Sequence, residues 1–122
     1  MIPLMVCLGA ALGAPARYLT DRAIQARHDS VFPWGTLTVN VVGSLILGAL
    51  VGLGSRHHLP AEVVAAVGTG FCGALTTYST FGFETIRLVE DGARLYAVLN
   101  IVASVAAGFG AAALGYALGL AL

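Results

Sequence analysis

The chain contains no lysine and carries little charge of either sign. Charged residues make up 10% of its 122 residues, against roughly 25% in a soluble globular domain. Six arginines and six acidic residues cancel to a formal charge of zero, which leaves no basic footprint for a nucleic acid. Cysteine is scarce too: Cys7 and Cys72 stand far apart in apolar segments. With no second pair and no His/Cys ligand spacing, both read as small buried hydrophobes, not as a disulfide or metal site. The N-terminus has no basic stretch and no evident cleavage motif, so it reads as the start of a first membrane span and not as a removable signal. His28, His57 and His58 fall in polar connecting segments, and no Ser/His/Asp or Cys/His set occurs at membrane depth. An enzyme is not expected.

What the chain has in abundance is apolar: 58% hydrophobic residues and a mean hydropathy of +0.90. A membrane-crossing helix takes about 20 residues, so four crossings nearly use up the length. The expectation is an all-α integral membrane protein, one four-helix domain over residues 1–122, with spans at about 3–26, 34–54, 61–88 and 95–120. Gly9/Gly13 and Gly48/Gly52 are small-xxx-small pairs suited to close helix contact, and Gly108, Gly110, Gly115 and Gly119 suggest the same for span four. Pro33 suits a helix start, and Trp34 suits the membrane interface. Counting arginines in the connecting segments puts Arg22, Arg27, Arg87 and Arg94 on one side against Arg56 on the other. That is a small basic bias for orientation.

Span three is too long and too interrupted for a simple crossing. It runs Gly68-Thr69-Gly70-Phe71-Cys72-Gly73-Ala74-Leu75-Thr76-Thr77-Tyr78-Ser79-Thr80-Phe81-Gly82-Phe83-Glu84. Glycine costs backbone entropy inside a helix, and clustered Thr and Ser compete for its backbone hydrogen bonds. Backbone that leaves the helix at membrane depth must be buried in protein or line a watery cavity. The stretch therefore reads as a functional break in a membrane helix.

The polar residues of the spans are few and neutral. Asn40, two turns inside span two, must be partnered in an apolar setting. It is either a helix-to-helix hydrogen bond or a pore-lining donor, with Thr36 on the same face. Asn100 and Ser104 share a face of span four, and Ser79 and Thr80 add hydroxyls in span three. Tyr78 and Phe81, then Phe81 and Glu84, are spaced i,i+3. Neutral donors without a basic ring could replace the water shell of a small anion yet let it leave, and an aromatic edge is electropositive. The same break could instead expose carbonyls to a cation. Arg17 is either a snorkelling interface residue or a cation facing an aqueous vestibule. Glu84 reads as a structural anchor, pairing with Arg17 or Arg87 or hydrogen-bonded inside the fold.

The motifs Gly35-Thr36-Leu37-x-Val39-Asn40-x-x-Gly43 and Gly70-Phe71-Cys72-Gly73-x-Leu75-Thr76-Thr77-Tyr78-Ser79-Thr80-Phe81-x-x-Glu84 closely resemble those of the CrcB/Fluc fluoride channels. Gly9-x-x-Gly13-Ala14-x-x-Arg17-Tyr18 resembles the same family's N-terminal motif. The resemblance implies a multi-pass protein of the inner (plasma) membrane that exports fluoride passively and protects against its toxicity. It implies an antiparallel, dual-topology homodimer in the lipid bilayer, with two fluoride pores. It further implies a broken third helix whose Gly73 and Thr76 carbonyls bind a structural sodium ion at the dimer interface. The family's paired phenylalanines fall on Tyr78 and Phe81, its pore asparagine on Asn40, its hydroxyl track on Thr80 and Ser104, and its vestibule arginine on Arg17. Two positions depart from the pattern: Tyr78 stands where the family commonly has Phe, and Asn100 where some relatives have Tyr. A four-helix multidrug antiporter would want a carboxylate buried in span one, whose apolar run from Pro3 to Leu19 has none. A non-transporting scaffold would explain the glycines but not the clustered hydroxyls and aromatics.

Overall fold

The computed structural model describes residues 1–27 and 32–122; His28 and Asp29, read above as part of a polar connection, lie outside the described residues. Every regular element among them is helical. Helix α1 (Ile2–Arg27) continues through Pro15, and α2 (Trp34–Arg56) follows Pro33, as expected of a proline at a helix start. Helix α3 covers residues 61–75, α4 is Ser79–Glu90, and α5 is Arg94–Ala121. Helices α1, α2 and α5 are each long and apolar enough to cross a membrane. Helices α3 and α4 are the two halves of the interrupted third span, separated at residues 76–78.

All six arginines lie inside these helices: Arg17, Arg22 and Arg27 in α1, Arg56 in α2, Arg87 in α4 and Arg94 in α5. Arg27, Arg56 and Arg94 are the terminal residues of their helices, so they still flank the membrane spans and the small four-against-one bias is unchanged.

Two helix pairs make the body, α2 against α5 and α1 against α3. Both seams are backbone against backbone. A Cβ on Gly48 or Gly52 would strike the carbonyls of Ala112 or Tyr116, and one on Gly115 or Gly119 would strike those of Leu45 or Ala49. Across the other seam, Gly9 and Gly13 abut the carbonyls of Ala66 and Phe71, and Gly70 abuts that of Val6. Without a hydrophobic drive between helices in lipid, such close van der Waals contact is the main attraction available. The expectation of tight packing does not hold for all the glycines of span four. Gly110 is exposed with nothing within 4 Å of a Cβ placed there, and Gly108 has only the Ser44 hydroxyl, at 3.9 Å.

Within α3, residues Val64–Cys72 are π-helical, hydrogen-bonded one residue further along than in an α-helix. The small residues Ala65, Gly68 and Gly70 are buried along this widened turn. The helix ends are closed by specific partners. Gln25 Oε1 accepts the Gly35 N–H at 3.3 Å, satisfying one orphan donor of α2. Arg56 donates to the Leu120 carbonyl at 2.6 Å, at the end of α5 where a cation is favoured. Helix α4 stops in a Schellman turn, with Ala93 N–H on Leu88 O, Gly92 N–H on Val89 O and Gly92 at φ 81°.

Few side chains are fully buried, and the largest are Val39 and Asn100. Long apolar rows remain exposed, including Leu4, Leu8 and Leu12 on α1 and Val98, Val102 and Phe109 on α5. Cys72 is buried, but Cys7 is exposed among the apolar residues of α1, so the expectation of two buried thiols holds for Cys72 alone.

Candidate functional site

The break begins where the α3 hydrogen-bond ladder runs out. Thr76 turns extended (ψ 159°), with its N–H and its hydroxyl both donating to the Cys72 carbonyl, at 3.0 and 2.9 Å. The next residue has no helical partner. Asn40 supplies one: its Oδ1 accepts the Thr77 N–H at 2.8 Å, and its Nδ2 donates to the Thr77 carbonyl at 3.0 Å. A single amide thus clasps both main-chain groups of Thr77. The Thr77 hydroxyl oxygen then accepts the Thr80 N–H at 3.1 Å, capping α4 as Thr does at helix starts. Helix α2 comes close to the break because Gly43 leaves room for the Thr76 methyl. The two readings of Asn40 are resolved in part, since the amide is a helix-to-break clasp and also lines a groove.

That groove has a volume of about 440 Å³ and is predominantly apolar with polar points. It brings together Asn40, Gly73, Thr76, Tyr78, Phe81 and Ser104 of the expected site residues. The rings of Tyr78 and Phe81 lie 6.1 Å apart, centroid to centroid, tilted by 44°. Tyr78 is 85% exposed and Phe81 is half-buried. Gly73 faces open space, with no atom within 4 Å of a Cβ placed there.

Other expected residues lie elsewhere. Thr80 and Arg17 line a second cavity of about 200 Å³ with Tyr18, Asp21, Thr36 and Thr77. It carries a charge of each sign, and Asp21 Oδ1 is buried without a partner among the described residues. Asn100, only 1% exposed, stands behind Ser104. Its Nδ2 donates to the Thr85 hydroxyl at 2.9 Å, Thr85 donates to the Phe81 carbonyl at 2.8 Å, and Ser104 reaches Asn100 Oδ1 at 3.4 Å. This relay ties the Phe81 turn of α4 to α5. Ser79 is exposed and lines neither cavity.

Glu84 faces a third cavity with Gln25 and Arg87. Its polar neighbours are Thr36, Asp21 and Arg87, and its Oε1 is buried without a hydrogen-bond partner. Among the described residues the ion pair is Arg87–Asp91, at 3.9 Å, so the expected pairing of Glu84 with Arg17 or Arg87 is not formed.

Thr77 and Thr85 were not singled out by sequence. Thr77 could have been, as the second of a Thr-Thr pair immediately before the aromatic pair. No group of three or more His, Cys, Asp or Glu is placed to hold a metal among the described residues. A cation would instead need carbonyls. Gly73 and Thr76 sit at the C-terminal end of α3, where the helix carries partial negative charge. Gly73 is exposed, and the Thr76 carbonyl accepts no hydrogen bond from the described residues. Carbonyl oxygens of this kind suit a hard cation.

The chain is similar throughout to known proteins. The family model described as CrcB-like protein, Camphor Resistance (CrcB), matches residues 4–116. The chain is 61% identical to a protein of Frankia casuarinae named fluoride-specific ion channel FluC 1, over 98% of this chain and 96% of that one. It is 62% identical to the protein of that name in Nocardia farcinica, over 88% and 72% of the two chains. To that of Thermobifida fusca it is 50% identical, over 96% and 94%. With nearly its whole length matched by the family model, and the clasped break lying inside the matched region, the chain belongs to the CrcB-like family.

Proposed function

We propose that this chain is a fluoride-specific ion channel, a passive conduit that carries fluoride out of the cytoplasm and thereby confers fluoride resistance, and not an enzyme. The observation that carries this reading is the clasped break, which sets neutral donors and an aromatic pair along one groove. The relatives named as fluoride-specific ion channels support the choice of ion. Asn40, Tyr78, Phe81, Thr80 and Ser104 form the fluoride pathway, with Asn100 behind it, while Ser79, which lines neither cavity of one chain, would join it only where a second copy closes the groove. Asn40 offers its second amide hydrogen and Ser104 its weakly held hydroxyl, and the Phe81 ring offers its electropositive edge. Asn100 acts through Ser104. Arg17 serves the vestibule, drawing anions to its mouth, with Asp21 beside it limiting how tightly they rest. Glu84 is structural.

One chain leaves the groove open. Tyr78 is almost free of contacts and Gly73 faces open space, which supports a second copy closing that side. The proposed assembly is an antiparallel, dual-topology homodimer in the inner membrane. The small size of the arginine bias, four near one set of helix ends against one near the other, agrees with a chain that inserts either way. The Gly73 and Thr76 carbonyls would hold a structural sodium ion at that interface, where it would offset the negative ends of the facing helices. The reading is tested by fluoride efflux from proteoliposomes followed with a fluoride electrode. Efflux far above that of protein-free vesicles is expected, and none from folded, sodium-loaded protein overturns it.

A further inference from the structure

Among the described residues, Thr77 lines both the groove and the Arg17 cavity, and no other residue does. The residue is 7% exposed and stands where the two spaces meet. Its main chain is fixed on both sides by Asn40, which makes the position rigid.

The hydroxyl hydrogens nearby are mostly spent inside the protein. Thr76 donates to Cys72 O, Thr85 to Phe81 O, and Ser104 to Asn100 Oδ1. Thr77 differs. Its oxygen is used as an acceptor by the Thr80 N–H, at 3.1 Å, and its own hydrogen has no acceptor among the described residues. Accepting that N–H also polarises the O–H bond, which strengthens it as a donor. A buried hydroxyl with an unspent donor is costly unless something accepts from it. Of the groups that line the two spaces with it, Asn40 in the groove and Arg17 and Thr80 in the cavity are donors, while the Asp21 carboxylate beside Arg17 keeps an anion from resting there too tightly. Donors converging from both sides suit an anion.

We propose that the Thr77 hydroxyl contacts fluoride directly and hands it between the Arg17 cavity and the groove; this rests on the fluoride-channel reading. A small anion leaving Arg17 meets this hydroxyl before the Tyr78–Phe81 pair, and by rotation about one bond the O–H can follow it from one space to the other.

Thr77→Val tests this, because it replaces the hydroxyl with a methyl of similar size and leaves the Asn40 clasp untouched. Thr77→Ser is its partner, keeping the donor and the cap on α4. In proteoliposomes, Thr77→Val is expected to lower fluoride efflux by about tenfold or more, the loss of one hydrogen bond to a charged group. Thr77→Ser is expected to stay within about threefold of the unmodified chain. Unmodified efflux from Thr77→Val overturns the proposal, as does an equal fall in both variants. Should Thr77→Val fail to fold, Thr77→Cys, whose thiol is a weak donor, takes its place with the same two outcomes. Failure of the unmodified chain to conduct would instead reject the channel reading itself.

Discussion

Replacing Asn40 with leucine removes the clasp while keeping the side chain's approximate size. The two hydrogen bonds it breaks, at 2.8 and 3.0 Å, are worth about 1 kcal/mol each net, and each Thr77 group left unpaired costs about 1–3 kcal/mol where water is scarce. The groove can admit some water to the Thr77 carbonyl, which favours the lower end, so the whole change is about 2–4 kcal/mol. At 1.4 kcal/mol per factor of ten, the clasped geometry becomes about 30-fold or more less favoured against alternatives in which the break refolds. Asn40→Leu should therefore lose most fluoride efflux and also melt at a lower temperature in detergent. Asn40→Asp keeps the acceptor for the Thr77 N–H but turns a carboxylate towards the Thr77 carbonyl and into the groove. It should lower efflux more than it lowers stability. An Asn40→Leu variant with unmodified efflux and unmodified melting would refute the clasp as the device that holds the break.

Three further outcomes follow from the same geometry. Phe81→Ile removes the aromatic edge from the groove and should suppress efflux while the dimer stays intact by size-exclusion chromatography; full efflux would mean the ring only packs. Exchange of sodium for a large organic cation should lower the thermal stability of the dimer, and anomalous density from a heavier monovalent ion should mark one cation near Gly73 and Thr76; an interface without that density removes the proposed site. A single cysteine placed in the α4–α5 connection of a Cys7→Ala, Cys72→Ala background should react with an impermeant thiol reagent from both sides of the membrane. Labelling from one side only contradicts dual topology.

Much of this architecture could be read from the chain itself, because its signals are local. Membrane length and hydropathy place α1, α2 and α5, and the four-residue spacing of Gly9/Gly13 and Gly48/Gly52 marks the seams. The interruption of span three was visible as glycines and hydroxyls in an apolar run, but its position was not. The glycines and hydroxyls from residue 68 onward mark no single break point, whereas the helix is interrupted at 76–78, with Thr76 extended and Tyr78 already helical in its dihedrals. The reason is that Asn40 reaches Thr77 from 37 residues away, and no local pattern encodes that bond. Glycines 68 and 70 do not break the helix; they sit in its π-helical turn against α1. Hydropathy cannot distinguish that turn from an α-helix, because the difference is one residue in hydrogen-bond register. The roles of Asn100 and Ser104 were likewise only half legible. Their i,i+4 spacing put them on one face, but Thr85, the partner that draws Asn100 out of the groove, belongs to another helix.

The central claim is that this chain, reconstituted in lipid, conducts fluoride. The direct measurement is fluoride efflux from proteoliposomes containing the unmodified protein and sodium, read with a fluoride electrode beside matched vesicles loaded with chloride. The account predicts rapid fluoride release and little chloride release under the same gradient. Intact, folded protein that releases neither ion, or releases both alike, would contradict it.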